Sequence, residues 1–538
     1  MYRILSLGAL VLLSLTVRSQ ELQPEWGEHL TAEIGAGMIL GATENGFYYL
    51  NSSFDYRFKK KPKEIIFFGK DGKRLSDIFI PIRDKTLRKT IARFFVFDGD
   101  LYLLWFTFKD GKLSYFLEGY DESFQVVYPL SHFKDFDLRK QSVSIQNGFN
   151  ATALADLRFL PAKSGDDILM ITSLSTMKKG KIESTETMSL LDRNFQEMWS
   201  REFVFSNFKE DEFSVVEFGR DEEGNIIFMC KPYDSKPEAI KEGVFENGYE
   251  AIIAVKLNNA GEEIQSEPFF PKFEYGFPLF IDSKRLEGNK IIYGGFVSEK
   301  ESIIGTFFFE FSLSTLKSSP LQQNRLPAAI VPAKKDRYTG IELKKSKAGR
   351  LFLTLSSFDY DFEMESNTTI YTDFFRDIHV FAHDETGVLD WHKVLPNRQK
   401  EVRTEVDNVP SVSHAANVLW LPANVKKMAH AYRAKNSFST VMMGEKLAII
   451  RNHHPGNLTK EKPFFWDETL AVDRKVSVIA NIFDVEGEME QKTIYQTREE
   501  EYFMVKAFNT SPDQILLYNF GSGPTGKFGR SFCTLLIQ

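Results

Sequence analysis

Cysteine is nearly absent: Cys230 and Cys533 are the only two in 538 residues. A disulfide-stapled scaffold is therefore excluded, and stability must come from a packed core. Apart from the segment Ile4–Val17, the chain has no long apolar run, so no membrane span is expected in the mature protein. No His-Glu-x-x-His pair, no Asp-x-Asp-x-Asp-Gly loop and no phosphate-cradling glycine loop occurs, and no Gly-x-Ser-x-Gly elbow. Neither metal nor cofactor is expected. Positive charge is not in excess either: 67 Lys and Arg face 74 Asp and Glu, a net charge of −7. That balance argues against a general nucleic-acid binder.

The amino terminus holds Arg3, then Ile4–Val17, then Arg18-Ser19-Gln20. One positive charge, a short apolar core and small residues before Gln20 predict a secretory leader over residues 1–19. No cysteine stands near the cut, so a lipid anchor is not expected. Removing Arg3 and Arg18 with the leader takes the net charge from −7 to −9. A secreted or periplasmic protein is expected. Asn51, Asn150, Asn367, Asn457 and Asn509 begin glycosylation triplets, relevant only in a host that glycosylates.

Fifty Phe and nineteen Tyr suit strands, where aromatic rings pack on a pleated surface. A pattern recurs eight times: a turn marked by Gly or Asp, an apolar run, a break, a second apolar run and a polar turn. The first runs begin near Phe47, Leu101, Ile168, Ile226, Ile291, Leu351, Leu447 and Ile515. The second copy is the clearest. Phe97–Asp100 is a turn, Leu101–Phe108 a strand, and Lys109-Asp110-Gly111-Lys112 a hairpin turn whose Asp-Gly supplies positive φ angles. Leu113–Leu117 returns, Tyr120–Ser123 turns, and Phe124–Tyr128 is an outer strand.

Repeats built only from strands predict an all-β propeller of four-stranded antiparallel blades. Eight blades are expected, with seven as the alternative. Residues 20–538 then form one propeller domain, in which each blade packs only on its neighbours. The eighth copy has no outer strand. Leu30–Ile34 is expected to supply it, closing the ring by joining N- and C-terminal strands. Cys230 and Cys533 fall in the fourth and eighth copies, on opposite sides of such a ring, so no disulfide is expected.

Copies are spaced 54 to 96 residues apart, and the excess is loop. Long turns between second and third strands are expected at Lys231–Asn247, Phe358–Asp373 and Asn452–Arg474. The largest insertion, about 396–437, links blade six to blade seven, and Ala423–Lys435 within it has helical composition after Pro422. Second-to-third turns and blade-to-blade links emerge at one end of a propeller. The other turns, short here, emerge at the opposite end. Function is expected at the loop-bearing end.

Ala382-His383-Asp384-Glu385-Thr386-Gly387-Val388-Leu389-Asp390-Trp391 resembles the tryptophan-docking repeat of quinoprotein-like propellers. In that family an Asp turn, a Thr-Gly and a following Trp lock one blade to the next. Asp192 to Trp199 and Asp121 to Tyr128 echo the spacing. The resemblance covers about ten residues and implies the propeller superfamily. Adjacent cysteines, which that family carries beside its cofactor, are missing, so no cofactor or activity is carried over. WD-dipeptide, double-glycine kelch and Asp-box signatures are also missing.

Two candidate contact groups emerge. Seven of the nine histidines fall between His379 and His454. His414 and His430 lie in the large insertion, and His453, His454, Trp466 and Asp467 in the long turn of blade seven. These could gather on the loop-bearing end. His379 and His383 share one side of a strand with Phe381 between them, which favours packing between blades. The second group is basic: Arg57, Lys59, Lys60 and Lys61 in blade one, Lys109 and Lys112 in blade two, Lys178 and Lys179 in blade three. A positive arc there would attract an anionic glycan, lipid or acidic protein segment. The expected role is a monomeric binding or scaffold protein whose partner is a protein or anionic glycan. A glycan-processing hydrolase or lyase and a structural envelope component are the alternatives, since the fold alone cannot choose.

Overall fold

The computed structural model describes residues 22–31, 38–51, 63–80, 83–84, 89–139, 155–161, 167–178, 181–202, 213–221, 223–232, 253–268, 273–279, 284–287, 289–299, 302–330, 337–365, 368–397, 399–406, 438–453, 466–467, 477–496, 506–511, 514–522 and 528–537. All regular structure among them is β, and the fold is an all-β propeller.

Seven antiparallel blades follow one another along the chain. Blade one is Met38–Ala42, Gly46–Leu50, Lys63–Gly69 and Arg74–Ile80, from inner to outer strand. Blade two is Lys89–Phe97, Asp100–Lys109, Lys112–Tyr120 and Val126–Asp137, with Arg83–Asp84 on its inner edge. Blade three is Ala155–Pro161, Ile168–Lys178, Lys181–Leu191 and Glu197–Glu202. Blade four is Phe213–Arg220, Ile226–Pro232, Ile253–Leu257 and Glu263–Pro268. In blade five the central pair Lys290–Glu299 and Ser302–Ser312 is flanked by Phe277–Leu279 and Lys284–Glu287 inside, and by Lys317–Ser318 and Gln322–Ile330 outside. Blade six is Arg337–Lys345, Leu351–Glu365, Thr368–His383 and Leu389–Leu395. Blade seven is Phe438–Met443, Lys446–His453, Ser477–Phe483 and Met489–Gln496.

A further sheet is composite. Lys506–Ser511, Gln514–Ser522 and Phe528–Ile537 are joined by Leu22–Thr31, which pairs antiparallel with the last strand from Leu22↔Ile537 to Thr31↔Gly529. The pairing strand thus starts before the expected Leu30–Ile34. Pro24 and Gly27 hide it in the sequence, and a register shift between Trp26 and His29 marks the irregularity. Cys230 lies in the second strand of blade four and Cys533 in this composite sheet.

The short turns share one construction. Asp121, Asp192, Asn258, Asp384 and Asp484 each accept hydrogen bonds through Oδ1 from the backbone N–H groups two and four residues on, at 2.8–3.1 Å. This is why Asp or Asn opens the turn. The third residue after it has positive φ: Phe124 56°, Phe195 59°, Gly261 79°, Gly387 85° and Gly487 81°. Where Gly stands there, a tryptophan from the preceding blade can close over it. A Cβ on Gly487 would lie 2.9 Å from the Trp391 ring, and one on Gly261 2.7 Å from the Trp199 ring. Trp391 Nε1 also donates to the Val485 carbonyl at 3.0 Å. Where Phe stands there, its own ring fills the gap. Phe195 sits among Phe95, Phe97, Tyr102, Tyr128, Phe133 and Phe159, with ring centroids 4.8–6.5 Å away.

Polar clamps tie successive blades at this short-turn end. Tyr48 donates to the Gly99 carbonyl (3.0 Å), Arg193 pairs with Asp98 and Arg220 with Asp167. Lys256 donates to the Ser314 carbonyl (3.1 Å), Asn324 to the Gly387 carbonyl (2.7 Å), and the Ala348 N–H to Glu445 (2.9 Å). Each clamp joins one blade to the next, from blade one to blade seven. A shallow groove of about 550 Å³ lies there, lined by Arg201, Glu202 and Ala260–Glu263.

Blade six corrects one expectation. The stretch 358–373 is not a long turn: its strands continue to Glu365 and restart at Thr368. Phe358, Tyr360 and Phe362 alternate with Asp359, Asp361 and Glu363, the period of a strand. Of the insertion at 396–437, Gln399–Val406 is also strand. The helical expectation for Ala423–Lys435 lies outside the described residues.

Candidate binding site at the junction of blades six and seven

The blade-six hairpin runs beyond its blade at the loop-bearing end. There it acquires two more strands. Gln399–Val406 pairs antiparallel with Thr368–Phe375, and Trp466–Asp467 pairs parallel with Gln399–Lys400. One small sheet thus joins a strand from the chain after blade six to a strand from within blade seven.

Below it, the packing between blades six and seven changes character along the strands. Toward the short-turn end it is apolar: Phe352, Ile378, Val380, Leu447, Ile449 and Phe483 form one buried cluster. Toward the loop-bearing end it becomes polar without becoming exposed. Arg451 is 3% exposed, His453 5%, Ser477 1%, and Asn397 and Asn481 are fully buried. Period-two alternation explains the row: residues 447, 449, 451 and 453 share one side of the strand, and the last two are polar.

Arg451 organises this layer. Its Nε donates to Asn481 Oδ1 at 3.1 Å, and its Nη1 to the Pro396 carbonyl at 2.6 Å and to Asn397 Oδ1 at 3.5 Å. The Asn481 amide in turn donates to Gln491 Oε1 at 3.2 Å. The Asn397 N–H reaches Asp377 Oδ1 at 3.4 Å. Burial pushes the Arg451 guanidinium down to about 10, partly opposed by the Asp377 charge. Among the described residues, no carboxylate forms an ion pair with it. A buried cation held by neutral oxygens is costly compared with an apolar filling. Its contribution is to fix Asn481 and the Pro396–Asn397 backbone in place.

The other histidines take a different place. His379, Phe381 and His383 pack toward blade five. His383 is fully buried, its Nε2 2.9 Å from Thr306 Oγ1, and burial pushes it down to about 3. His379 Nδ1 lies 3.1 Å from His392 Nε2; burial, then the second ring, pushes it down to about 4. The Phe381 ring stacks on His392 at 4.3 Å. These rings are neutral packing elements near neutral pH.

The expected contact residues scatter. His453 ends the second strand of blade seven as a buried residue, and Trp466 stands beside Gln399 in the small sheet. Lys109 is exposed and 4.0 Å from Asp110, whereas Lys112 is held 2.7 Å from Asp135. Lys178 ends the second strand of blade three opposite Lys181. Arg57, Lys59, Lys60, Lys61, Lys179, His414, His430 and His454 lie outside the described residues. His453 and Trp466 are thus at one junction, with Lys109, Lys112 and Lys178 in other blades. Sequence reasoning missed Arg451, Asn397 and Asn481. The available signal was a strand pattern that passes from Leu447-Ala448-Ile449-Ile450 into Arg451-Asn452-His453 without a Gly or Pro.

Among the described residues, no three His, Cys, Asp or Glu side chains are placed to hold a metal ion. No helix there is long and apolar enough to cross a membrane.

No protein-family model matches the chain, and no curated protein matches it. The quinoprotein-like resemblance is therefore unsupported beyond the propeller itself. Solved structures similar to the chain include the polysaccharide lyase Uly1, at 10% identity and TM-score 0.33 over 83% of this chain and 89% of that one. Another is the WD40 domain of SCAP from fission yeast, at 7% identity and TM-score 0.34 over 96% and 94%. A third is a polysaccharide lyase of family PL25, an ulvan lyase, at 9% identity and TM-score 0.33 over 83% and 92%. At such values the likeness carries nothing about activity. The chain is similar to propeller proteins in architecture.

Proposed function

We propose that this chain is an exported binding protein whose contact surface is the loop-bearing end of blades six and seven. One observation supports this above the rest: the blade-six hairpin is prolonged past its blade and recruits Gln399–Val406 and Trp466–Asp467 from separate loops. A propeller needs no such sheet to pack its blades. Fixing two loops to a rigid platform over a hydrogen-bonded floor is a means of presenting them to a partner at low ordering cost. The reading includes ring closure by Leu22–Thr31, which leaves the last strand no open edge.

The test is recovery of the native partner by the full chain from its medium or envelope. A variant in which residues 399–437 are replaced by a short Gly-Ser linker should lose that partner while keeping its circular dichroism and melting temperature. Retention of the same partner by the folded variant would rule the surface out.

A further inference from the structure

We propose that the seam joining blades one, two and three at the short-turn end is a proton-operated latch, tightened when Asp100 is neutral and loosened when it is charged. The latch is independent of the contact surface above. Two turns of blade two meet there. Asp98 and Gly99, with φ of 51° and 84°, make the tight reversal before the second strand and set Asp98 and Asp100 on either side of one glycine. The third strand ends at Tyr120, which pairs with Leu101, so the register carries Asp100 opposite Asp121. Like charges directly opposite each other on paired strands destabilise a sheet.

Fixed contacts hold the neighbouring carboxylates in place. Glu122 accepts from Thr43 Oγ1 at 2.6 Å and from Asn45 Nδ2 at 3.0 and 3.2 Å, and its carbonyl accepts from Ser76, all three in blade one. Asp121 Oδ1 accepts from the N–H groups of Ser123 and Gln125, both at 2.8 Å. Asp98 pairs with Arg193 of blade three. Asp100 differs: it is partly buried, and its side chain has no hydrogen bond or ion pair among the described residues. Tyr48, which donates to the Gly99 carbonyl, and Tyr102 also lie within reach of its charge, and neither neutralises it. Burial, then Asp121, Asp98 and Glu122, lifts the Asp100 carboxyl from the ordinary 3.8 to about 6, with Arg193 opposing. The folded chain therefore holds a proton that the unfolded chain releases. The seam is penalised at neutral pH, and the penalty is relieved as the pH falls through about 6 toward 3.8. When charged, Asp100 pushes on the turn that carries Glu122, and so on the clamp to blade one. The response is opposite in sign to that of the buried histidines of blade six, so a local measurement is needed to see it.

Hydrogen–deuterium exchange of the full chain, followed from about pH 7.5 to about pH 5 with labelling times scaled for intrinsic exchange, reads the latch at peptides covering 43–50, 97–104 and 118–126. These peptides should exchange about fivefold more slowly at the lower pH, a modest factor because solvent screens a partly exposed group. The change should turn over near pH 6. Asp100→Asn, neutral at every pH, should show the slow exchange throughout. Arg193→Gln, which removes the opposing cation, should move the turnover to higher pH. The Leu447–Arg451 strand of blade seven should show no such slowing. Three results would overturn the proposal: exchange at the three peptides that does not change with pH, an Asp100→Asn variant that keeps the wild-type response, or a turnover that Arg193→Gln leaves in place.

Discussion

The junction between blades two and three and that between blades six and seven solve the same packing problem in opposite ways. At the first, the Phe195 ring plugs the seam and Phe95 stacks on Phe159 at 4.8 Å. Its buried charge is matched: Arg93 meets both oxygens of Asp156 at 2.9 and 3.1 Å. At the second, Gly487 leaves room for Trp391 at the short-turn end, and the opposite end is filled with Arg451, Asn481 and Asn397. The first arrangement maximises apolar burial. The second places a desolvated cation among neutral partners, where hydrophobic side chains of similar size would pack with less penalty. We propose that this penalty is tolerated because the seam supports the blade-six extension.

The comparison is broken most severely at Phe195. Phe195→Ala should cost about 3–5 kcal/mol, a large fraction of a domain's stability, read as a shift of the urea midpoint. A change below about 1 kcal/mol would mean that the seam is not sealed by this ring. Next comes Arg451. Arg451→Met alone leaves the Asn481 and Asn397 oxygens and the Pro396 carbonyl without their donor, and should cost about 1–3 kcal/mol. Adding Asn481→Leu should recover most of that loss while partner binding stays impaired. Stability and binding that return together would deny the layer its functional role.

The pH response sharpens the contrast further. Burial pushes His379 and His383, both in blade six, down to about 4 and about 3, below the ordinary imidazole value of 6.5. The unfolded chain therefore binds protons that the folded chain refuses. Their contribution is fully present above pH 6.5 and falls as the pH drops toward those lower values, by at most about 1.4 kcal/mol per pH unit for each ring. Urea midpoints measured from pH 7 to pH 4.5 should decline, and His383→Gln should flatten the decline. A profile identical to wild type would show that His383 does not drive it. An effect comparable to that of Arg451→Met is expected for Gly487→Ala. The φ of 81° and the Trp391 ring at 2.9 Å predict a cost of about 1–3 kcal/mol, with loss of indole burial visible in fluorescence.

The propeller was legible because its turns are written in short-range chemistry. Asp121, Asp192, Asn258, Asp384 and Asp484 each stand where a side chain must cap its own turn, and apolar runs of strand length flank them. The blade-six extension was read as loop because acidic residues on one face of Phe358–Glu365 masked a strand-like alternation on the other. That an N-terminal strand would pair with the last copy was expected from its missing outer strand; the bounds were missed because Leu22–Thr31 carries Pro24 and Gly27 in place of an unbroken apolar run. The polar layer was half visible. His453 was singled out as a loop residue, yet it is buried, because the strand continues past the point where its apolar residues end. Burial of a polar residue depends on the neighbouring blade, and one strand's sequence does not record that neighbour.

Hydrogen–deuterium exchange of the full chain, alone and with its recovered partner, tests the location of the contact surface most directly. The account predicts slowed exchange across 358–375 and 399–406, with none at the 109–112 and 178–181 hairpins. Protection confined to those basic hairpins, with the blade-six extension unchanged, would contradict it.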